Sequence, residues 1–256
     1  MSLRVFLFSV CLAGAVIALA DTPAGIGKQS LKGTLGGIPM HRFAIDTAAH
    51  SEVGIKVDGR IHEPVWARTP HYDNMIVAVP GTGEPAEYET EIRLIATERG
   101  LFVSALMKQP LDSLTKRLTP RDQFIDRDTF GITIDPSGQG LFAYWFIIAL
   151  GDAVMDGKVL PERRYSNDWD GPWLGKSATH EAGWSVEFYL PWSMLNLPAA
   201  EGQRTLGFAA SRQVSSRNQR YQWPGHSYAS PQFVTALNSM SVEGVSPRRQ
   251  WSLIPY

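Results

Sequence analysis

The sequence predicts an all-β fold, an antiparallel β-sandwich of the jelly-roll type. Three observations carry this. Roughly ten short strand-like runs follow one another, separated by Gly, Pro and Asp turn signals at close spacing. No long stretch repeats its apolar residues with the period of a helix. The run from Leu141 to Leu150 is apolar at successive positions, as a central strand covered on both faces is. The chain has 256 residues, 44% hydrophobic and 19% charged, which are ordinary globular proportions. No repeat, low-complexity segment or interior linker divides it, so one domain is expected over residues 51–256.

The first segment is expected to lie outside that domain. Arg4 is a short positive start, Val5 to Leu19 is nearly all apolar, and Ala18-Leu19-Ala20 has the small-x-small pattern of a cleavage site. Residues 1–20 therefore read as a secretory signal peptide, too short an apolar run to span a bilayer and followed at once by polar Asp21-Thr22. The single cysteine, Cys11, falls inside this leader, and the mature chain has no thiol. That excludes disulfide stapling, thiolate zinc sites and cysteine nucleophiles. An exported chain without disulfides points to a bacterial envelope protein, periplasmic or associated with the outer membrane. Lysine and arginine number 24 against 25 acids, a net charge of −1, and no basic stripe could neutralise a phosphate backbone. A nucleic-acid partner is not expected.

Residues 21–50, rich in Gly, Thr and Ala, read as a flexible lead-in, with an early strand at Met40 to Ile45. A short strand at Ile55 to Val57 then meets an Asp58-Gly59 turn, and Glu63-Pro64-Val65-Trp66 returns from it. Glu91 to Leu94 alternates as a half-buried strand, and Gly100 punctuates before Leu101 to Met107, which makes a hairpin of the two. Thr129 to Ile134 leads into the Asp135-Pro136-Ser137-Gly138 turn. After the Leu141 strand, Ala153-Val154-Met155 is a short strand between two Asp/Gly turns. Further on, Trp184, Val186, Phe188 and Leu190 alternate with polar neighbours and are assigned to the core. Pro191 starts one helical turn. Leu206 to Ala210, Arg220 to Trp223, Phe233 to Leu237 and Trp251 to Ile254 read as the last strands.

Catalytic signatures are missing. There is no His-Glu-x-x-His helix, no Walker loop and no Gly-x-Gly-x-x-Gly run, and Gly225 to Ala229 falls short of a nucleophile elbow. The histidines, His41, His50, His62, His71, His180 and His226, are scattered singly. No catalytic residue is expected. Two segments have binding chemistry. Tyr165-Ser166-Asn167-Asp168-Trp169-Asp170-Gly171-Pro172-Trp173 brings two indoles beside short polar side chains, the combination that suits the apolar faces and hydroxyl edge of a sugar ring. A structural corner with inward tryptophans is the plainer alternative. Asp126 and Asp128 bracket Arg127 in a turn, where a hard cation such as calcium could take carboxylate and carbonyl oxygens. Solvated turn residues are the alternative there.

Taken in order, these motifs resemble the family nine carbohydrate-binding modules. Val57-Asp58-Gly59-x-x-x-Glu63-Pro64-x-Trp66 is similar to the opening signature of those sandwiches. Thr90 to Leu94, Leu101-Phe102-Val103, Arg127-Asp128-Thr129-Phe130, Asp168-Trp169-Asp170-x-x-Trp173, Gly183-Trp184-x-x-Glu187 and Pro191-Trp192-Ser193-x-Leu195 follow in the matching order. The likeness covers about Ile55 to Tyr256 and implies the sandwich, with Glu63 and Trp66 as structural marks of it. It also implies a sugar clamped between aromatic faces, here Trp169 and Trp173, with Asn167, Asp168 and Asp170 at its edge and a structural calcium. A related group of envelope proteins places this sandwich before an outer-membrane β-barrel, which is an expected partner, and ends it in a strand resembling Arg248 to Tyr256. The expectation is thus a non-catalytic carbohydrate-binding module of an exported protein, tied to polysaccharide binding or catabolism. Its rivals are a gating domain of a barrel with no sugar ligand, a haem b sandwich using Met107, Met155 or Met194, and a glycosidase.

Overall fold

The computed structural model describes residues 33–35, 38–40, 42–160, 163–199, 202–223 and 233–245. The expected leader with Cys11, His41, the stretch from Gly225 to Ala229 and the expected strand at Trp251 to Ile254 lie outside them. The strands begin with β1 (Gly33–Leu35), β2 (Ile38–Met40), β3 (Arg42–Ala44), β4 (Thr47–Ala48), β5 (His71–Tyr72) and β6 (Ile76–Val79). Next come β7 (Thr90–Thr97), β8 (Gly100–Lys108), β9 (Thr129–Asp135), β10 (Ala143–Ala149), β11 (Val154–Leu160) and β12 (Arg164–Ser166). Then follow β13 (Leu174–His180), β14 (Gly183–Pro191), β15 (Arg204–Val214), β16 (Gln219–Trp223) and β17 (Asn238–Val242). The two α-helices among the described residues are single turns, α1 (His50–Val53) and α2 (Pro64–Arg68).

Two sheets face each other. The larger has nine strands, in the order β12-β11-β10-β9-β15-β16-β6, with β17 and β3 also attached. The attachment works because β15 is long: Arg204 to Phe208 pairs with β17, and Ala210 to Val214 pairs with β16 on the same side. The smaller sheet runs β13-β14-β8-β7-β4, with β5 also on β7. Apart from β1 and β2, which pair only with each other, the strands build an antiparallel sandwich, as the turn spacing predicts. Its two parallel pairs, β3 with β17 and β4 with β7, both come from residues 42–48. This part of the expected lead-in places one strand on each sheet without an intervening hairpin.

Between the sheets lies the main core, and period-two alternation decides what enters it. Trp184, Val186, Phe188 and Leu190 of β14 point inward against Phe130, Ile132 and Ile134 of β9 and Tyr144, Phe146 and Ile148 of β10. Burying side chains of this size stabilises the fold by roughly 2–3 kcal/mol apiece. Strand β10 is covered on both faces, as its unbroken apolar run implies: Ala143 and Trp145 on its outer face join a second cluster with Met155, Val159, Ala209, Phe233, Val234 and Leu237. A third cluster, Val53, Trp66, Ile95 and Phe102, backs the smaller sheet.

Two local expectations are corrected. Phe233 to Leu237 is not a strand; Val234–Ala236 is a 3-10 turn. Its apolar residues fall at adjacent pairs rather than alternate positions, so a turn buries Phe233, Val234, Ala236 and Leu237 together where a strand would expose half of them. Ile55 to Val57 forms no ladder either. The segment is irregular, with Ile55 and Val57 packed on the third cluster, and Pro64 opens α2 instead of a returning strand.

Candidate functional site

The opening signature and Glu187 meet in space, which explains their pairing in the sequence. Glu187 is fully buried, and its carboxylate accepts hydrogen bonds from the backbone N–H of Asp58 (3.0 Å) and Gly59 (3.0 Å) and from the indole Nε1–H of Trp66 (2.9 Å). Ser185 donates to the Gly59 carbonyl at 2.6 Å, and Glu63 accepts the Lys56 N–H at 3.1 Å. Gly59 has φ +85°, and a Cβ there would lie 2.5 Å from the Ser177 carbonyl carbon, so no other residue fits that turn. Burial pushes the Glu187 carboxyl up from the usual carboxylate range, against the pull of its three donors. The signature is a polar staple behind the smaller sheet.

The corner from Tyr165 to Trp173 is divided. Trp173 is 8% exposed and its ring stacks on Phe188 at 5.7 Å and 11°. Its Nε1–H donates to Asp156 Oδ2 at 3.1 Å, and Gly171 N–H donates to the same oxygen at 2.7 Å. Trp169 is half-buried against Tyr144 (4.6 Å) and Phe146 (6.0 Å), with the Lys158 ammonium 5.9 Å from its ring. The pair expected to clamp a sugar therefore does not present two open faces; Trp173 belongs to the core and Trp169 seals its edge. Of the polar residues expected beside them, all exposed, the two aspartates are engaged by the corner itself or its neighbour. Asp168 accepts from Ser166 Oγ at 2.9 Å, Asp170 accepts from Arg121 Nε at 2.9 Å, and Asn167 lies exposed between them.

Asp126 and Asp128 sit in different surroundings. Asp126 is exposed, whereas Asp128 is fully buried with both oxygens engaged by N–H groups: Thr115 (2.9 Å) and Gln109 Nε2 (3.0 Å) on one, Ser215 (2.9 Å) on the other. Burial pushes its carboxyl up. Oxygens filled by donors fit a structural anchor and do not fit calcium. Among the described residues the acids that do gather are Asp122, Asp156 and Asp170, whose ligand atoms lie within 4.8 Å of one another. Arg121 already sits among them, bonded to Asp156, to Asp170 at 2.9 Å and to Asp122 at 3.4 Å.

A cleft of about 470 Å³ opens on the outer face of the larger sheet. Its floor comes from alternate residues of adjacent strands, Thr129, Gly131 and Thr133 of β9 and Ala209, Ser211 and Gln213 of β15, with Arg220 and Gln222 of β16 beyond. Short side chains in the middle of the sheet hollow it. Taller ones, Trp145, Ile147, Tyr165 and Phe233, stand around that hollow. Trp145 is fixed by its indole N–H to the Lys158 carbonyl (3.1 Å) and lies under two exposed rings, Phe124 at 5.7 Å and Tyr165 at 6.5 Å. One wall is the loop that carries Phe124, Ile125 and Asp126. Arg127 holds that loop by donating to the Arg117 carbonyl (2.9 Å), Thr119 Oγ1 (2.5 Å) and the Gln123 carbonyl (2.8 Å).

Trp145 lies in the apolar Leu141 to Leu150 run expected to be covered on both faces, which its 5% exposure bears out, but its place beneath a cleft has no local mark in the sequence. Tyr165 opens the corner that ends at Trp173, and it is this residue, not the two tryptophans, that lines the cleft. The available signal was the second register of β9 and β15, where Thr129-Gly131-Thr133 and Ala209-Ser211-Gln213 place short and polar residues opposite the apolar register.

The chain matches no model of a known protein family and no curated protein. Its fold is similar to several solved structures. One is a family 9 carbohydrate-binding module from Caldicellulosiruptor kristjanssonii in complex with cellotriose, at TM-score 0.52 and 13% identity over 84% of this chain and 100% of that one. Another, titled as the module from the same organism with glucose, gives TM-score 0.51 and 13% identity over 80% and 98%. A protein from Bacteroides uniformis ATCC 8492, whose carbohydrate binding is itself an inference, gives TM-score 0.61 and 12% identity over 79% and 99%. At such identities the likeness is one of fold, and the fold is that of a family 9-like β-sandwich.

Proposed function

We propose that this protein binds a carbohydrate without cleaving it, through the cleft on the outer face of the larger sheet. The observation that carries the reading is the pairing of a floor of hydroxyl and amide side chains with standing aromatic rings in one concavity of about 470 Å³. A sugar ring offers C–H faces to Tyr165 and Phe124, which Trp145 backs, and hydroxyl edges to Thr129, Thr133, Ser211 and Gln213. Such a site needs no proton transfer. The solved neighbours of the same fold that carry cellotriose and glucose support the ligand class. The leader expected at residues 1–20 supports placing this binding outside the cytoplasm, in the periplasm or at the outer membrane, and polysaccharide capture or catabolism is the role proposed for it there.

Calorimetry and tryptophan fluorescence of the purified chain, titrated with cellotriose, glucose and a broad oligosaccharide panel, test the reading. Saturable binding that changes the tryptophan emission of the chain is expected for at least one sugar. A panel with no binding above background overturns the reading.

A further inference from the structure

We propose that the cleft selects a sugar carrying a carboxylate, with Arg220 and Arg127 as the cationic side of its lining. This rests on the reading of the cleft as a sugar site. The lining contains these two arginines and a single acid, Asp126, which is exposed. Arg127 is completely buried, yet none of its partners is an acid. It donates to two carbonyls, one hydroxyl and the Met155 thioether (3.8 Å), and its Nε has no hydrogen-bond partner.

The fold pairs arginines with acids elsewhere. Arg93 bonds Glu91 at 2.7 Å, and Arg121 bonds three aspartates. Arg212, also buried, is surrounded by five acceptors in the packed interior and has Asp128 nearby. Arg127 alone of these combines full burial, no carboxylate partner and a place beside a cleft. Burial lowers its guanidinium's affinity for its proton, with no opposing acid. A buried cation without a counter-charge is costly, and an anion entering the adjacent cleft offsets that cost in a medium that screens weakly. The fork of Arg127 is already engaged, so its part is the positive field it casts into the cleft, which favours an anion such as the carboxylate of a uronic acid.

The test is calorimetry of the full chain with trigalacturonate, with its methyl ester and with cellotriose, at low and high salt. Trigalacturonate is expected to bind about tenfold or more tighter than its ester at low salt, the gap narrowing as salt rises. Arg220→Gln should shrink that gap. It is the variant of choice because Arg127 also holds the loop wall, so its replacement mixes binding with folding. Equal affinities for acid and ester overturn the inference and leave sugar binding standing. Failure of all three ligands and of the neutral panel overturns the sugar reading itself. Acetate binding as tightly as trigalacturonate also overturns the inference, since the sugar ring would then contribute nothing.

Discussion

The two faces of the larger sheet use similar residues for opposite ends. On the inner face, at Asp156 and Trp173, the buried polar groups are spent on holding the corner. Asp156 is fully buried, accepts from Gly171 and Trp173 and pairs with Arg121, and the indole it holds is stacked on Phe188. On the outer face, Phe124 and Tyr165 are exposed over the buried Trp145 and stand beside hydroxyls, Tyr165 at 49% exposure. What separates an anchor from a binding surface is what the opposite strands bring. Phe188 fills the space over Trp173, whereas Gly131, Ala209 and Ser211 leave the space over their part of the sheet open.

This contrast can be broken at several points, and the largest effect is expected on the inner face. Trp173→Ala removes a stacked, hydrogen-bonded indole from the main core and should cost about 4 kcal/mol of stability, read by urea unfolding. If it instead abolished sugar binding with unchanged stability, the corner would be the site and the contrast would fail. Ser211→Leu fills the cleft floor and should weaken sugar binding at least about thirtyfold, or ~2 kcal/mol, while stability stays within about 1 kcal/mol. Unaltered affinity in the calorimeter would move the ligand off this face. Tyr165→Ala, at an exposed ring, should weaken binding about tenfold with stability changed by less than about 0.5 kcal/mol.

The smallest effect concerns pH. Burial raises the carboxyls of Asp128, Asp156 and Glu187 above their ordinary range. Between the unfolded value, near about 4, and the raised folded value, the native state binds more protons than the unfolded chain. Their contribution to stability therefore grows as pH falls through the folded pKa and is complete below the unfolded one. The Tm should rise by a few degrees from about pH 7.5 to about pH 5, and Asp156→Asn should flatten part of that rise. A Tm that falls over this range would show that these carboxylates are stabilised as anions. Glu91 works in the opposite sense: its carboxyl lies below the ordinary range, so its contribution is present above the unfolded pKa and lost as pH falls through the folded one.

Much of the fold was legible because alternation is a local property. Trp184, Val186, Phe188 and Leu190 announce their face within nine residues, and the β7–β8 hairpin follows from Gly100. The ordered signature from Asp58 to Glu187 was legible as a pattern, and its cause, one carboxylate bonded to Asp58, Gly59 and Trp66, was not. The binding face was harder to read. Trp169 and Trp173 looked suited to a sugar by composition, but exposure depends on what a distant strand places opposite. That partner for Trp173 is Phe188, 15 positions along the chain on β14, the strand that pairs with β13.

The sequence by itself determined the all-β architecture, the core register of its strands and the lack of thiol chemistry after Cys11. These depend on side-chain periodicity and residue type, which no tertiary contact can change. Only the tertiary structure decided which aromatic rings meet solvent, that Asp128 is an anchor, and that the short residues of β9 and β15 share one hollow. Each of these is a relation between strands far apart in sequence, and free space, unlike hydrophobicity, is a property of the assembled sheet.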